Sequence, residues 1–484
     1  MTEQFINFVS IQLSKDKQEA LYVQLYDQMR ELITTGKLSH GYLLPPVRKF
    51  AKFLEINAGT VMSAYKLLEK NGYIFSRTGS GSYVAELSGI VDNEESDKRG
   101  EEEIDAIEIL SPKFDERYIN LASIALNPDL ISVEAFKQVL IEVLDRDQGY
   151  AFGYQESQGF YPLRESIASD LKKYGVKAEA STMQIISGAQ QGIDIVAKAF
   201  LNYGDYVFTE NPTYPGAIAA FRSRGAKIVE ISMEEDGINI EELEDKLRKF
   251  RPKLMYVMPN IQNPTGSSYS VAKRNRLMGL ARYYNAIILE DDYISELIYG
   301  KEMMAPLKAI DRDDRVIYLK SFSKIFMPGL RLAFLMMPQR LVSKLLAIKH
   351  NSDISTSGLT QRAFDLYLRK RIWHEHITVI RKMYLERFKL TLAAIEEFLP
   401  KTVTYVKPHG GLSIWLTLPL GISAKEIVEE AQNRQVLITE GTPFFPRQAI
   451  DRYIRISFAT ATPAEIQNGI RMIGNVLKSK IISK

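Results

Sequence analysis

The sequence predicts an α/β protein of two units, a small and mainly helical N-terminal module followed by a large domain built around a mostly parallel sheet. Three observations predict this. At 484 residues the chain is too long for one ordinary core. From about Asn120 onwards helical patterns alternate with short apolar strands, as at 183–186, 206–208, 254–257 and 286–289, the pattern of a parallel α/β sheet. Before that point, residues 12–86 hold three helical patterns and a pair of short strands, and an acidic stretch divides them from the rest.

Composition narrows the chemistry. Hydrophobic residues at 45% and charged residues at 25% are the fractions of a soluble globular protein. The chain has no cysteine, so disulfides, thiolate nucleophiles and cysteine-ligated metals are excluded. Of the histidines only His374 and His376 lie close together, and such a pair on a helix points to different faces, so no metal site is expected. Residues 1–10 lack the basic and apolar segments of a signal peptide, and no apolar run approaches the ~20 residues of a membrane span. The expected location is the cytoplasm. With a net charge of +3 the chain is no polycation, so any attraction for nucleic acid must be local.

Positive charge is concentrated between Lys37 and Ala85, where Lys37, Arg48, Lys49, Lys52, Lys66, Lys70 and Arg77 stand against only Glu55 and Glu69. Over 20–38 the apolar residues Leu21, Val23, Leu25, Met29, Leu32 and Ile33 recur at helical spacing, and Gly36 ends the run. Gly41 turns the chain, and Pro45-Pro46 opens a second helix through Leu54, since proline is tolerated in a first turn. A third helix starts at Asn57 or Ala58 and stops at Asn71-Gly72. A short turn between the last two helices is the helix-turn-helix pattern. Two strands over 73–75 and 82–84 then flank a glycine-rich tip, Arg77-Thr78-Gly79-Ser80-Gly81, which reads as a wing.

Leu44-Pro45-Pro46-Val47-Arg48, Thr60-Val61 with Ala64-Tyr65, and Gly79-Ser80-Gly81-Ser82-Tyr83-Val84 resemble a GntR-type winged helix-turn-helix. The resemblance implies that the third helix enters the major groove of double-stranded operator DNA, where base edges are distinguishable, with the wing near the minor groove or backbone. Asn57, Thr60 and Lys66 are then candidate groove contacts, and Arg48, Lys49, Arg77 and Gly79 candidate contacts to the backbone or at the wing. Many relatives carry a Ser-Arg pair before the Thr-Val step where this chain has Asn57-Ala58-Gly59, so the operator sequence cannot be borrowed from them. The plainer alternative is a small helical module for protein contacts whose lysines form an ordinary solvated face.

Residues 87–117 are expected to be a flexible linker. Between Asp92 and Glu108 nine acidic residues face two basic ones, and a stretch so charged and poor in apolar side chains buries too little surface to fold by itself.

In the large domain, 118–478, four motifs follow the predicted strands, at the strand ends where sheets of this kind bind ligands. Ser187-Gly188-Ala189-Gln190-Gln191-Gly192 lies between a strand and a helix, so free amides at the helix start can hold a phosphate. Asn263-Pro264-Thr265-Gly266 presents an amide side chain in a tight turn, and Glu290-Asp291-Asp292-Tyr293 presents carboxylates after the 286–289 strand. Ser321-Phe322-Ser323-Lys324 presents a lysine after a strand over 316–319, with Arg331 expected one and a half to two helical turns further on. A reactive aldehyde needs a lysine partner, and a pyridine nitrogen needs an acid to keep it protonated.

Together these motifs resemble fold-type I pyridoxal-phosphate enzymes of the aminotransferase class I and II group, which implies a large domain with a mostly parallel sheet and a smaller C-terminal α/β subdomain. The resemblance implies that Lys324 bonds the aldehyde of pyridoxal 5'-phosphate and that Asp291 pairs with its ring nitrogen. It further implies that Asn263 and Tyr293 bond the ring hydroxyl and Tyr214 stacks on the ring. The Ala189 and Gln190 amides, Ser321 and Arg331 would hold the phosphate, and Arg455 would receive a substrate or effector carboxylate through its planar fork. Alternatives stand beside these: Asp292 in place of Asp291, Tyr214 as a core ring, Arg455 as a structural ion-pair arginine, and Tyr154 either packed in its own subunit or reaching a neighbour's cofactor.

A GntR-type module before an aminotransferase-like domain resembles the MocR subfamily of bacterial transcription regulators across nearly the full chain. The resemblance implies a head-to-tail homodimer that binds pyridoxal phosphate and an amino-acid-like effector and regulates transcription. Two further readings remain open, an aminotransferase with an appended DNA-binding module, and a regulator that senses pyridoxal phosphate itself.

Overall fold

In the computed structural model of the protein the described residues are 8, 11, 13–14, 20–34, 37–70, 72–77, 81–85, 117–300, 304–447 and 450–482. The linker expected over 87–117 lies outside them apart from Arg117. The chain divides into two compact units, Met1–Glu102 and Glu103–Lys484.

In the first unit, helices α1 (Leu21–Thr34), α2 (Val47–Phe53) and α3 (Ala58–Lys70) precede strands β1 (Ile74–Arg77) and β2 (Gly81–Val84). Helical spacing turns Leu25, Met29, Leu32 and Ile33 of α1 inward against Val61, Ala64, Tyr65 and Leu68 of α3, and Phe50 of α2 completes the core. The Tyr65 hydroxyl donates to the Pro45 carbonyl at 2.9 Å, tying α3 to the turn that opens α2. Two expectations shift by a residue or two. Pro46 caps α2 from an extended conformation instead of forming its first turn, and β1 and β2 run on until Arg77 pairs with Gly81, which shortens the expected tip. The Arg77 side chain and Gly79 lie outside the described residues.

The second unit opens with β3 (Ile119–Asn120) and then builds an eight-stranded sheet. Its strands are β4 (Met183–Ile186), β5 (Tyr206–Asn211), β6 (Lys227–Glu234), β7 (Gly237–Ile238), β8 (Pro252–Val257), β9 (Ile287–Asp292), β10 (Val316–Ser321) and β11 (Ala333–Met336). The order is β4-β11-β10-β9-β8-β5-β6-β7; β10, β9, β8, β5 and β6 are mutually parallel, while β11 runs against both its neighbours and β7 against β6. Near-continuous apolar strands fit this, because helices cover both faces. On one face Ile193 and Val196 of the helix Ala189–Phe200 pack with Leu289, Ile317 and Leu319; on the other, Tyr318 and Phe334 join a core shared with Phe364 and Trp373.

The smaller C-terminal layer pairs β12 (Ser413–Thr417) with β15 (Tyr453–Ser457), and β15 in turn with β14 (Thr439–Glu440), all antiparallel, while β13 (Val436–Leu437) pairs with β3. The long helix Ile372–Phe398 lies along the helix Pro463–Ile482 in this layer. No helix among the described residues is long and apolar enough to cross a membrane.

Two sequence expectations about the site are corrected. The carboxylates Glu290, Asp291 and Asp292 end β9 instead of following it, and Ser321 ends β10, because these polar side chains find donors on neighbouring strands, at the start of the helix Leu307–Ile310 and in the turn after β10. Arg331 is not a helical position counted on from Lys324: the segment between them is a set of turns ending in a short 3₁₀ turn, Pro328–Leu330, and Arg331 adopts φ 51° in the left-handed region. Pro328 has no N–H with which to continue a helix.

Leu68→Ala, at a fully buried position of α3, is expected to destabilise the first unit by about 2–5 kcal/mol. Chemical unfolding followed by circular dichroism reads this as an earlier transition, and an unchanged midpoint would mean that α1 and α3 do not share the core described.

Candidate functional site

One cavity of about 290 Å³ opens at the carboxyl ends of the parallel strands, bounded on one side by the C-terminal layer. Ala189, Gln190, Tyr214, Asn263, Asp291, Tyr293, Ser321, Lys324 and Arg455 all line it, so nine of the ten residues singled out for the cofactor and effector meet at one place. The tenth, Arg331, is exposed and donates to the Ser187 carbonyl at 3.2 Å. Its guanidinium also explains Gly188, which has φ +99°: a Cβ there would fall 2.3 Å from Arg331 Nη2. Gly188 gives the helix Ala189–Phe200 no side-chain cap, so the first-turn amides of Ala189 and Gln190 have no partner within the helix. The Gln190 side chain is committed elsewhere, donating to the Gly216 carbonyl at 2.8 Å.

The strand register decides between the two aspartates. Side chains alternate along β9, so Asp291 faces the cavity while Asp292 faces the opposite side of the sheet. Asp291 Oδ2 accepts a hydrogen bond from the Tyr256 hydroxyl at 2.6 Å, and its Oδ1 is buried without a partner among the described residues. Burial pushes this carboxyl up to about 7, with Asp292 pushing the same way and Tyr256 and Lys320 pulling it back. Burial likewise brings Lys324 down to about 8, helped by the positive charges of Arg455 and Arg331. A lysine so placed presents a free amine in mildly basic solution.

Arg455 stands on β15 between Trp415 of β12 and Thr439 of β14 and is 1% exposed. It donates to Asn263 Oδ1 at 3.1 Å, to the Ala122 carbonyl at 3.3 Å and to Thr439 Oγ1 at 3.4 Å, and its guanidinium lies 5.0 Å from the Phe444 ring centre. Its hydrogen-bond partners among the described residues are an amide oxygen, a backbone carbonyl and a hydroxyl, none of them a carboxylate, and its Nε has no partner among them. Burial pulls it down to about 10, which still leaves it charged at neutral pH. With Asn263 Oδ1 occupied by Arg455, the amide nitrogen of Asn263 is left to donate into the cavity.

In the first unit, Arg48 and Lys49 are exposed on α2 and Lys66 is exposed on α3, while Thr60 is half-buried. Asn57 is exposed too, but its Oδ1 accepts from the Gly59 amide at 2.7 Å, a capping role that leaves only its amide nitrogen for another partner. Met62 and Ser63 join the exposed face of α3, a consequence of helical phase that the charge pattern did not pick out.

Residues 117–473 match the family described as aminotransferase class I and II, and residues 21–84 match that of bacterial regulatory proteins of the gntR family. The chain belongs to the aminotransferase class I and II family. The family domain is fused to a GntR helix-turn-helix, which makes the chain a GntR-type regulator with an aminotransferase-like domain. It is 27% identical over 479 residues to the probable rhizopine catabolism regulatory protein MocR of Rhizobium meliloti, covering 95% of this chain and 94% of that one. It is 33% identical over 369 residues to aromatic-amino-acid aminotransferase 1 of Thermococcus litoralis, covering 75% of this chain and 88% of that one. Among solved structures it is similar to LysN, the α-aminoadipate aminotransferase of Thermus thermophilus complexed with N-(5'-phosphopyridoxyl)-L-leucine. The TM-score is 0.75 at 30% identity, over 81% of this chain and 100% of that one.

Aminotransferases of this class depend on pyridoxal phosphate, and the regulator's cavity fits that group. The unpartnered Asp291 Oδ1 suits a ring N–H, the first-turn amides of the helix Ala189–Phe200 suit a phosphate, and Lys324 suits an aldehyde. Sequence reasoning missed three members of this surrounding. Tyr256 was read only as part of an apolar strand, although a tyrosine buried on a central strand must find a partner for its hydroxyl. Ser323 has a buried hydroxyl without a partner among the described residues. Glu210, fully buried, accepts from Tyr269, Gln262 and the Met258 amide, a set drawn from distant segments that no local motif reveals.

The position of Lys324 predicts a pH profile. Protein freed of cofactor should recombine with pyridoxal phosphate at a rate that rises as the amine loses its proton and levels off above about pH 8. Stopped-flow absorbance measures this, and a rate still climbing at pH 10 would mean that the Lys324 amine is not depressed.

Proposed function

We propose that the chain is a transcriptional regulator whose large unit binds pyridoxal phosphate and senses an amino-acid-like effector, working as a head-to-tail homodimer in the cytoplasm. The observation that carries the reading is Arg455: a buried guanidinium without an acidic partner among the described residues, on the same cavity as Lys324. An uncompensated buried charge costs several kcal/mol, and a bidentate carboxylate is the partner best matched to an arginine fork. A ligand that brings an amine to the Lys324 side and a carboxylate to Arg455 is an amino acid or its close analogue.

In this reading Lys324 holds the cofactor by its aldehyde, and Asp291, kept in place by Tyr256, keeps a proton on the ring nitrogen. Tyr293 and the Asn263 amide donate to the ring hydroxyl, and Tyr214 covers the ring face. Ser321, Arg331 and the Ala189 and Gln190 amides neutralise the phosphate. When bound there, pyridoxal phosphate supplies a carbonyl that joins reversibly to primary amines and a ring that withdraws electrons from them. Asn263 would link the two halves of the site, since its oxygen accepts from Arg455 and its nitrogen is left to donate to the ring hydroxyl.

The effector regulates only if two arrangements of the dimer bind it with different affinity. The expected output is a change in how the paired DNA modules engage two half-sites of an operator. Support for a second copy comes from the segment around Gly153, where Tyr150, Phe152 and Tyr154 are all largely exposed. Tyr154, at 86%, does not pack in its own subunit. For the DNA face, α3 would enter the groove with Thr60, Lys66 and the Asn57 amide nitrogen, while Arg48 and Lys49 meet phosphates. A second reading, turnover as an aminotransferase, is favoured by the presence of both Lys324 and Asp291 in the cavity.

Lys324→Ala should lose the visible absorption of bound pyridoxal phosphate while remaining folded, and Arg455→Gln should keep that absorption but lose the spectral response to amino acids. Response retained in Arg455→Gln would remove the carboxylate assignment. Fluorescence anisotropy with operator DNA then separates the readings: an amino acid that shifts DNA affinity supports the sensor, whereas sustained consumption of a keto acid with unshifted affinity supports the enzyme. Removing Lys66 or Arg48 should weaken DNA binding and reduce the slope of log affinity against log salt by about one each; an unchanged slope would take that residue out of the interface.

A further inference from the structure

On the side of the sheet away from the cavity lies a buried group of charges that the proposed function leaves unused. Parallel pairing sets Leu319 of β10 beside Asp291 of β9 and Lys320 beside Asp292. Lys320, 4% exposed, donates to Glu296 Oε2 at 2.6 Å, to Asp292 Oδ1 at 3.0 Å and to Ser295 Oγ at 3.2 Å. Asp292, 2% exposed, also accepts from the Tyr318 hydroxyl at 2.6 Å, from the Ser295 hydroxyl at 2.8 Å and from the Ser295 amide at 3.0 Å. Replacing a buried ion group with well-packed apolar side chains is often neutral or stabilising, so stability alone is a weak reason for this one. Its location supplies a stronger reason. β9 delivers Asp291 to the cavity immediately before Asp292, and β10 runs from Lys320 directly into Ser321 and on to Lys324.

We propose that Lys320 and Asp292 are positioning residues: their bond across β9 and β10 fixes Asp291 relative to Lys324, and their charges act on Asp291 from the far side of the sheet. The inference rests on the reading of Asp291 as the partner of the cofactor's ring nitrogen. Asp291 is faced by Tyr256 of β8, by Glu210 of β5 and Tyr214 beyond it, by Tyr293, Lys324 and Arg455 around the cavity, and by Asp292 and Lys320. The Lys320 group is faced by Tyr318, Glu296, Asp170 and Tyr174. Within that field the signs are definite. Lys320 favours the charged form of Asp291, and Asp292 opposes it. Tyr318 and Ser295 still donate three hydrogen bonds to Asp292 when Lys320 is removed, while the pull of Lys320 on Asp291 is lost.

The test is the pH dependence of pyridoxal phosphate affinity in the full chain and in Lys320→Met and Asp292→Asn. Below the Asp291 midpoint the carboxyl is neutral and cannot hold a protonated ring nitrogen, so affinity breaks downward on the acid side. The break should move up by about half to one pH unit in Lys320→Met and down by a similar amount in Asp292→Asn. Titrations of the ligand, and of Lys324, whose amine is brought down by burial, Arg455 and Arg331, are common to all three proteins and cancel. Opposite shifts are a signature that a purely structural role does not produce. Breaks that stay in place, or that move together as the melting temperature falls, would overturn the proposal. If Lys320→Met does not fold, Asp292→Asn decides alone, because Lys320 keeps Glu296. Asp291→Asn is run alongside: unchanged affinity in that variant overturns the reading of Asp291 itself, whereas weakened affinity there with immobile breaks in the others overturns only the positioning role.

Discussion

Parallel pairing of β9 with β10 carries ionisable side chains to both faces of a sheet that is otherwise apolar, and the chemistry of the large unit is arranged around that pair. A strand can end in Glu290, Asp291 and Asp292 only if each carboxyl finds its own donors. Glu290 takes the Leu307 and Lys308 amides, Asp291 takes Tyr256, and Asp292 takes Tyr318, Ser295 and Lys320. Because alternation separates neighbours by the thickness of the sheet, adjacent aspartates face different surroundings and are held differently: burial drives Asp291 up, whereas Lys320 and three donors hold Asp292 down. One stretch of backbone thus yields a responsive carboxyl on the cavity side and a fixed charge on the other.

The first unit uses charge in the opposite regime. Arg48, Lys49 and Lys66 are exposed, over a core of Phe50, Val61, Tyr65 and Leu68 that holds no buried ionic group among the described residues. Exposed cations interact through water and salt, so they act over a distance of about 10 Å at moderate ionic strength and bind polyanions without fixed geometry. The cavity groups, excluded from water, are selective and sensitive to small displacements. The sensor proposed above would need both regimes, and the chain keeps them in separate cores.

How much of this was legible in the sequence follows from which interactions are local. The strand at 183–186 is read at its observed position, and of the two starts read for the third helix, Asn57 or Ala58, the second is observed, because an apolar run and a change of period are local signals. The strands starting near 206, 254 and 286 are read too short at one or both ends. Thr209, Glu210, Asn211 and the 290–292 carboxylates look like loop residues until their partners on neighbouring strands are known. The nine cavity residues were found through motif order, which survives without coordinates. Motif order cannot choose between Asp291 and Asp292, since that choice depends on the strand continuing to 292 and so on which face each residue takes. Lys320, Tyr256 and Glu210 were invisible for a related reason: their partners lie on other segments, and each alone reads as an ordinary strand or turn residue. The helix expected before Arg331 failed because Pro328 stops any helix that starts at Lys324.

The cavity's own electrostatics point to how sensing and DNA binding can be joined. Asp291 Oδ1 and Arg455 Nε are buried without partners among the described residues, and Lys324 is brought down by burial and by two other cations. Each favours a ligand that supplies what is missing: a donor at Asp291, a carbonyl at Lys324, an anion at Arg455. Part of the binding free energy of such a ligand would therefore be relief of a cost already built into the fold. Linkage makes this reciprocal: whatever factor the effector applies to DNA affinity, DNA must apply to effector affinity, and such couplings amount to about 1–3 kcal/mol. A site that bound the effector equally well in every arrangement of the protein would be an enzyme's site or a store. Arg455 is hydrogen-bonded to Asn263 of the large sheet layer and to Thr439 of the C-terminal layer, so in the proposed reading a carboxylate bound to its guanidinium would pull on both at once.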